Sequence, residues 1–247
     1  MNYLISPEHL TEALARAHQH WQTRRGGSAS EESAPTAFSI AVSRETGTYG
    51  AAIAREVANR LGWPVYDREL LQRIADDMGV RRTLLESVDE RQEGWLSECL
   101  ASLFSVPEVN SVSYFRQLVE TVLSLATHGE CVIVGRGATV VLPRATTLRV
   151  RVVAPREHRI EAVRREHSIS LKEATARVDS TDQERNRFVI DHFKINPIDP
   201  ANHDLVLNVA CFSTGECADL IVAALNHLRS HSMSSLPPGG VRATARI

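Results

Sequence analysis

Lysine is almost missing from this chain. Only Lys172 and Lys194 occur among 28 basic side chains, and neither is near a glycine-bearing turn, so an anion held at such a turn falls to guanidinium groups or backbone amides. A genome biased toward arginine codons is enough to produce the skew itself. Bulk positive charge is also lacking: the formal net charge is -2 and the pI about 6.6, which excludes a protein held on nucleic acid or anionic membrane mainly by its overall charge. Paired cysteines are absent, since Cys99, Cys131, Cys211 and Cys217 are widely spaced with no C-x-x-C, and they are expected to be reduced packing residues. No segment approaches 18 uninterrupted apolar residues, and the N-terminus has no basic start leading into an apolar run. A soluble cytoplasmic protein is the expectation.

What is present is one substantial core's worth of apolar sequence, 43% of 247 residues. Leu4 to Trp21 has apolar residues at helical spacing behind Ser6-Pro7, which predicts an N-terminal helical arm over 1–24. The run Arg24 to Pro35, small and glycine-rich, predicts a flexible linker over 25–36. From 37 to 229 short β-rich runs alternate with helical patterns. Strands are predicted at Phe38–Ser43, Val65–Tyr66, Cys131–Val134, Leu148–Ala154 and Leu205–Val209, several of them continuous apolar runs suited to buried parallel strands. Helices are predicted at Ala51–Leu61, Arg68–Met78, Tyr114–His128, Pro155–His167, Leu171–Ser180, Gln183–Phe193 and Thr214–Leu228. The alternation implies a doubly wound α/β fold. Periodicity blurs between Arg81 and Pro107, where a mobile helical insert is expected, and Ser230 to Ile247 is expected to be a disordered tail.

The chemistry concentrates at the ends of predicted strands. Phe38 to Asp67 gives strand, turn, helix and second strand, and such a turn aims backbone N–H groups and a helix dipole at its contents. Gly47 and Gly50 permit close backbone approach, while Arg44 supplies charge. The pattern G-x-x-x-x-G-K-[ST] is not met: the lysine and hydroxyl positions read as Gly50 and Ala52, or Ala51 and Ala52. Asp67 ends the second strand, where open sheets place ligand-handling residues; it is equally a helix N-cap. Arg136, between Gly135 and Gly137, emerges at the same edge and suits a phosphate or carboxylate, or is a surface loop arginine. Arg185 and Arg187 sit near a helix start, able to reach different phosphates, or to lie on a solvated face paired with Asp182 and Glu184. Arg159 after the fourth strand carries the same ambiguity.

In this order the pieces resemble the cytidylate kinase-like family, a divergent branch of the P-loop nucleoside monophosphate kinases, from Phe38 to about Leu225. The resemblance rests on Arg44-Glu45-Thr46-Gly47-Thr48-Tyr49-Gly50, Tyr66-Asp67-Arg68, Gly135-Arg136-Gly137, Asp182-Gln183-Glu184-Arg185-Asn186-Arg187 and His203-Asp204-Leu205-Val206-Leu207-Asn208. It implies a P-loop NTPase-like three-layer fold on a five-stranded parallel sheet, with a helical acceptor-binding insert over 81–128 and a lid over 168–196. It further implies ATP with Mg2+ as donor, held by Arg44, Gly47, Thr48, Tyr49 and Gly50. The acceptor, a nucleoside monophosphate such as CMP or another small phosphorylated molecule, would be bound by Asp67, Arg136 and Arg159, with Arg185, Arg187 and Asp67 catalytic. The lost loop lysine leaves a second expectation beside it, an inactive nucleotide-binding sensor that signals to a protein partner through the N-terminal helix. Neither expectation involves nucleic acid or membrane.

Overall fold

The computed structural model describes Gln19, residues 38–86, Val88 and residues 112–234. The expected N-terminal arm apart from Gln19, the linker, residues 87 and 89–111 of the insert and the tail beyond 234 lie outside the described residues. Five strands, β1 (Ser39–Arg44), β2 (Val65–Tyr66), β3 (Val132–Val134), β4 (Thr147–Val153) and β5 (Leu205–Asn208), form one parallel sheet in the order β2-β3-β1-β4-β5. The connections are helical: α1 (Gly50–Leu61), α2 (Arg68–Asp76), α3 (Met78–Glu86), α4 (Val112–His128), α5 (Ala138–Val141), α6 (Arg156–His167), α7 (Leu171–Phe193) and α8 (Thr214–Ser234).

Strand alternation assigns each side chain to one of two cores. Ile40 and Val42 of β1, Val132 and Val134 of β3, and Leu148, Val150 and Val152 of β4 pack with Ile53, Val57, Ala218 and Ile221 of α1 and α8. Ala41 and Ile133 face the other way, onto Leu70, Leu71 and Ile74 of α2 and Leu118 and Leu123 of α4. The apolar runs are continuous because both faces are covered, the requirement for a parallel sheet between helices. The central strand β1 ends at the tip shared with β3 and β4, so whatever follows it lies at the carboxyl edge of the sheet.

Several element boundaries differ from the sequence expectation. The predicted pair Leu171–Ser180 and Gln183–Phe193 is one 23-residue helix, α7. Ser180-Thr181-Asp182 looks like a cap, but Ser180 Oγ donates back to the Arg177 carbonyl at 3.3 Å and Asp182 turns outward to another segment. The predicted Arg68–Met78 helix stops at Asp76, because Asp77 turns out of the helix and accepts the N–H groups of Gly79 and Val80, starting α3. At the C-terminus α8 continues to Ser234, five residues beyond the expected end of the domain at 229.

Candidate active site

The β1–α1 turn is shaped by backbone geometry that the two glycines make possible. Gly47 has φ +83° and lies so close to α6 that an added Cβ would strike the Arg159 carbonyl oxygen. Tyr49, also left-handed at φ 54°, begins α1 with no side-chain cap, and its ring is exposed. Across the sheet edge, Gly135, Arg136 and Gly137 take φ values of 81°, 52° and 73° in succession. This left-handed run lets the Arg44 guanidinium lie against Gly135, where a Cβ would collide with Nη1.

Helix α7 is tied to the turn by one carboxylate. Asp182 Oδ1 accepts the Thr46 N–H at 2.8 Å and the Thr46 hydroxyl at 2.7 Å, while Oδ2 pairs with Arg159. Arg185, one turn further along α7, donates to Thr46 Oγ1 at 3.1 Å and to the Arg44 carbonyl at 3.4 Å. Glu45 is divided among Arg151 at 3.4 Å, Arg159 at 3.2 Å and the Ala154 N–H at 3.3 Å. The distal half of α7 is seated by rings: Phe188, His192 and Phe193 cluster with Phe115 of α4, the His192 and Phe115 rings stacking at 4.1 Å.

Two clefts open at this edge. The larger, about 610 Å³, runs between the turn and α7 and carries Arg151, Arg159 and Arg187 opposed by Glu45, Asp179, Asp182 and Asp191. The smaller, about 220 Å³, carries Arg68 and Arg136, with Glu184 the one lining carboxylate among the described residues. Arg44, Arg151 and Arg185 line both. Burial pushes the Arg44 guanidinium down to about 10, with repulsion from Arg185 second and Glu69 and Asp67 opposing the shift. Arg185 is lowered for the same first reason, despite Asp182. Among the described residues no carboxylate lies within ion-pairing distance of Arg44. Like charges gathered in a half-buried cleft destabilise the unliganded protein and attract an anion, which is how binding sites differ from structural ion pairs.

The sequence-named residues separate into groups. Arg44, Arg136 and Arg185 meet at the smaller cleft. Arg136 also donates to Gln72 Oε1 at 3.2 Å and lies 5.6 Å over the Phe188 ring. Arg187 is exposed on the outer wall of the larger cleft. Arg159 is buried and engaged by Glu45, Asp182 and the carbonyls of Ala154 and Thr46. Asp67 caps α2 by accepting the Leu70 N–H at 3.1 Å and lies outside both cleft linings. Gly47, Thr48, Tyr49 and Gly50 also lie outside both linings; the Thr48 hydroxyl is turned in, donating to the Glu45 carbonyl at 2.8 Å. Sequence reasoning missed Arg68 and Arg151. For Arg151 a signal existed: Leu148-Arg149-Val150-Arg151 puts two arginines at strand period inside an apolar run.

A glycine turn after the central strand of a five-stranded parallel sheet, roofed by a helix that brings arginines over it, defines a kinase-type P-loop α/β protein whose loop lacks lysine. The cytidylate kinase-like family profile matches residues 39–210, and the chain belongs to that family. Among solved structures it is similar to an uncharacterized protein from Eubacterium ventriosum ATCC 27560, with 20% identity, TM-score 0.60, and coverage of 77% of this chain and 98% of that one. A shikimate kinase from Bacteroides thetaiotaomicron aligns with 11% identity and TM-score 0.40, over 78% of this chain and 97% of that one. Comparison with curated proteins finds no match. Among the described residues no helix is long and apolar enough to cross a membrane.

Proposed function

We propose that the chain is a nucleoside monophosphate kinase-like phosphotransferase, moving the γ-phosphoryl group of ATP to CMP or a related small acceptor in the cytoplasm. The observation that carries this reading is the convergence of Arg44 and Arg185 on the wall common to both clefts, with Arg136 in the smaller one. The larger cleft would take the donor and the smaller the acceptor phosphate, so that an acceptor oxygen forms its bond to γ-phosphorus as the bond to the β-phosphate oxygen breaks. Catalysis of this kind is positioning and charge neutralisation. Arg44 holds donor phosphates at the wall common to both clefts, Arg136 holds the acceptor, and Arg185 with Arg187 neutralises charge during transfer; residues 47–50, outside both linings, shape the turn rather than the contact. Arg159, placed at sequence level among substrate ligands, acts instead by fixing the turn to α7. Asp67 orders α2 and biases Arg44. ATP fits the excess of guanidinium groups. For magnesium, the described residues hold no cluster of three candidate ligands, and the Thr46 and Thr48 hydroxyls both donate inside the protein. Such an ion would be carried chiefly by the phosphates, as Mg2+ commonly is.

One observation favours a second reading, a nucleotide-binding sensor without turnover: the Thr46 N–H, in the phosphate turn itself, is already taken by Asp182. The sensor would report its ligand to a protein partner through the N-terminal segment. Labelled ATP offered with each common nucleoside monophosphate, beside calorimetry of ATP and CMP binding, separates the two. Label transfer to an acceptor supports the kinase; binding without transfer supports the sensor, and neither result removes both.

A further inference from the structure

We propose that Arg151 is a further phosphate-binding residue, a cation carried on β4 beneath the turn in place of the lysine the turn lacks; the assignment rests on the nucleotide-binding reading above. Arg149 and Arg151 alternate onto the same sheet face, aligned with Ala41 and Ser43 of β1. Both are buried, yet their surroundings differ. Arg149 is consumed by Asp204, which accepts its backbone N–H at 2.8 Å and its Nε at 3.1 Å and pairs with Nη2 at 2.5 Å. It lines neither cleft. Arg151 lines both, with its side chain only 6% exposed. Its described partners are the Ser43 hydroxyl at 3.2 Å and a Glu45 carboxylate that Arg159 and the Ala154 N–H share.

A buried cation left with part of one carboxylate is a poor structural device, since replacing such a group by an apolar one is often neutral or stabilising. It is a good ligand-binding device, because a polyphosphate entering the junction completes its coordination in a dry site. Position supports the same conclusion. Ser43 aligns with Arg151 one residue before the strand gives way to the turn, so the guanidinium stands under the turn between donor and acceptor clefts. Gly50, Ala51 and Ala52 supply no cation there. Arg44 and Arg185 reach the junction from the sides, and Arg151 closes it from below.

The test is calorimetry of the full chain with AMP, ADP and inorganic pyrophosphate, using wild type, Arg151→Gln, Arg151→Lys and the double variant Arg151→Gln/Glu45→Gln. The double variant also removes the carboxylate that Arg151 faces, and it keeps the test alive if the single variant misfolds. The preference for ADP over AMP is expected to fall about tenfold when the charge is removed, the scale of one charge-assisted hydrogen bond, and to survive in Arg151→Lys. A purely structural role would weaken AMP and ADP alike, leave their ratio unchanged and overturn the assignment. If wild type binds ADP with a ratio insensitive to Arg151, this inference fails and the nucleotide reading stands. Should wild type bind neither nucleotide, that reading falls and pyrophosphate decides: binding lost with Arg151→Gln upholds the site, while no pyrophosphate binding overturns it.

Discussion

Arg185 and Arg159 both meet Asp182, yet their remaining contacts give them different work. Arg159 is 8% exposed, and its described contacts are two carboxylates and two carbonyls. Truncating it takes a buried cation from Glu45 and Asp182, which keep Arg151 and Thr46 as partners, so the cost falls below the about 3–5 kcal/mol of a fully buried pair broken on one side. Arg185 is half-exposed, 4.0 Å from Asp182, and faces both clefts. Its replacement by alanine is expected to leave the thermal midpoint nearly unchanged and to lower kcat about 10²-fold or more, the scale of one lost transition-state donor, with a much smaller change in nucleotide affinity. Equal losses in kcat and affinity would assign Arg185 to general binding instead. Nothing in the linear sequence separates these two arginines: one precedes its partner by 23 residues and the other follows it by three. The difference is made by burial, which depends on α6 packing behind the turn.

Helix α7 is held along its length by apolar, polar and aromatic contacts. Ala174 and Val178 pack on Ile160 and Val163 of α6, Asp182 grips Thr46, and the ring cluster docks the last turns on α4. Of these, Asp182 is the polar point on the turn and is removable without opening a core; the exposed Arg156–Asp179 pair is a separate polar tie, to α6. Asp182→Ala is therefore expected to free the turn while α7 stays folded: amide exchange of Thr46 accelerates, with little change at Val178 or Phe188 in the same experiment. Uniform acceleration along α7 would mean that the carboxylate holds the helix itself rather than the turn. At this scale the sequence was informative about strands and poor about breaks. Apolar runs located all five strands, most clearly the central ones, because parallel strands covered on both faces leave no polar face to blur the signal, while β5 at the edge keeps Val206 exposed. The predicted break between Ser180 and Gln183 does not form, since polar side chains end a helix only when their own backbone is the partner. Here Asp182 bonds a residue 136 positions away, and no local pattern encodes such a separation. Arg151 escaped for a related reason: the apolar character of its strand hid two charges on one face.

Across the whole molecule the sheet is closed at the β5 edge by the Arg149–Asp204 pair, which ties β4 to the strand that carries the chain into α8. Partial burial pushes the Asp204 carboxyl up, but hydrogen bonds from the Arg149 side chain and backbone and the Arg149 charge outweigh it, so the net shift is downward. A carboxylate with a folded-state value below its unfolded one stabilises the protein fully above the unfolded value, near 3.9. That contribution is lost as pH falls through the lowered folded-state value. Asp204→Asn should accordingly lower the thermal midpoint at pH 7, where wild type has the charged pair and the variant leaves the buried Arg149 facing a neutral amide. As pH falls through the lowered folded-state value the two curves should converge, because wild type loses the same charge. Other carboxylates, among them Asp179 and Glu173, also titrate low in the folded chain, so both proteins soften in acid and only the gap between them reports on Asp204. A gap of constant size from pH 7 to pH 3 would show that the side chain acts by shape and hydrogen bonding without its charge, and that the β5 edge is held by packing against α8.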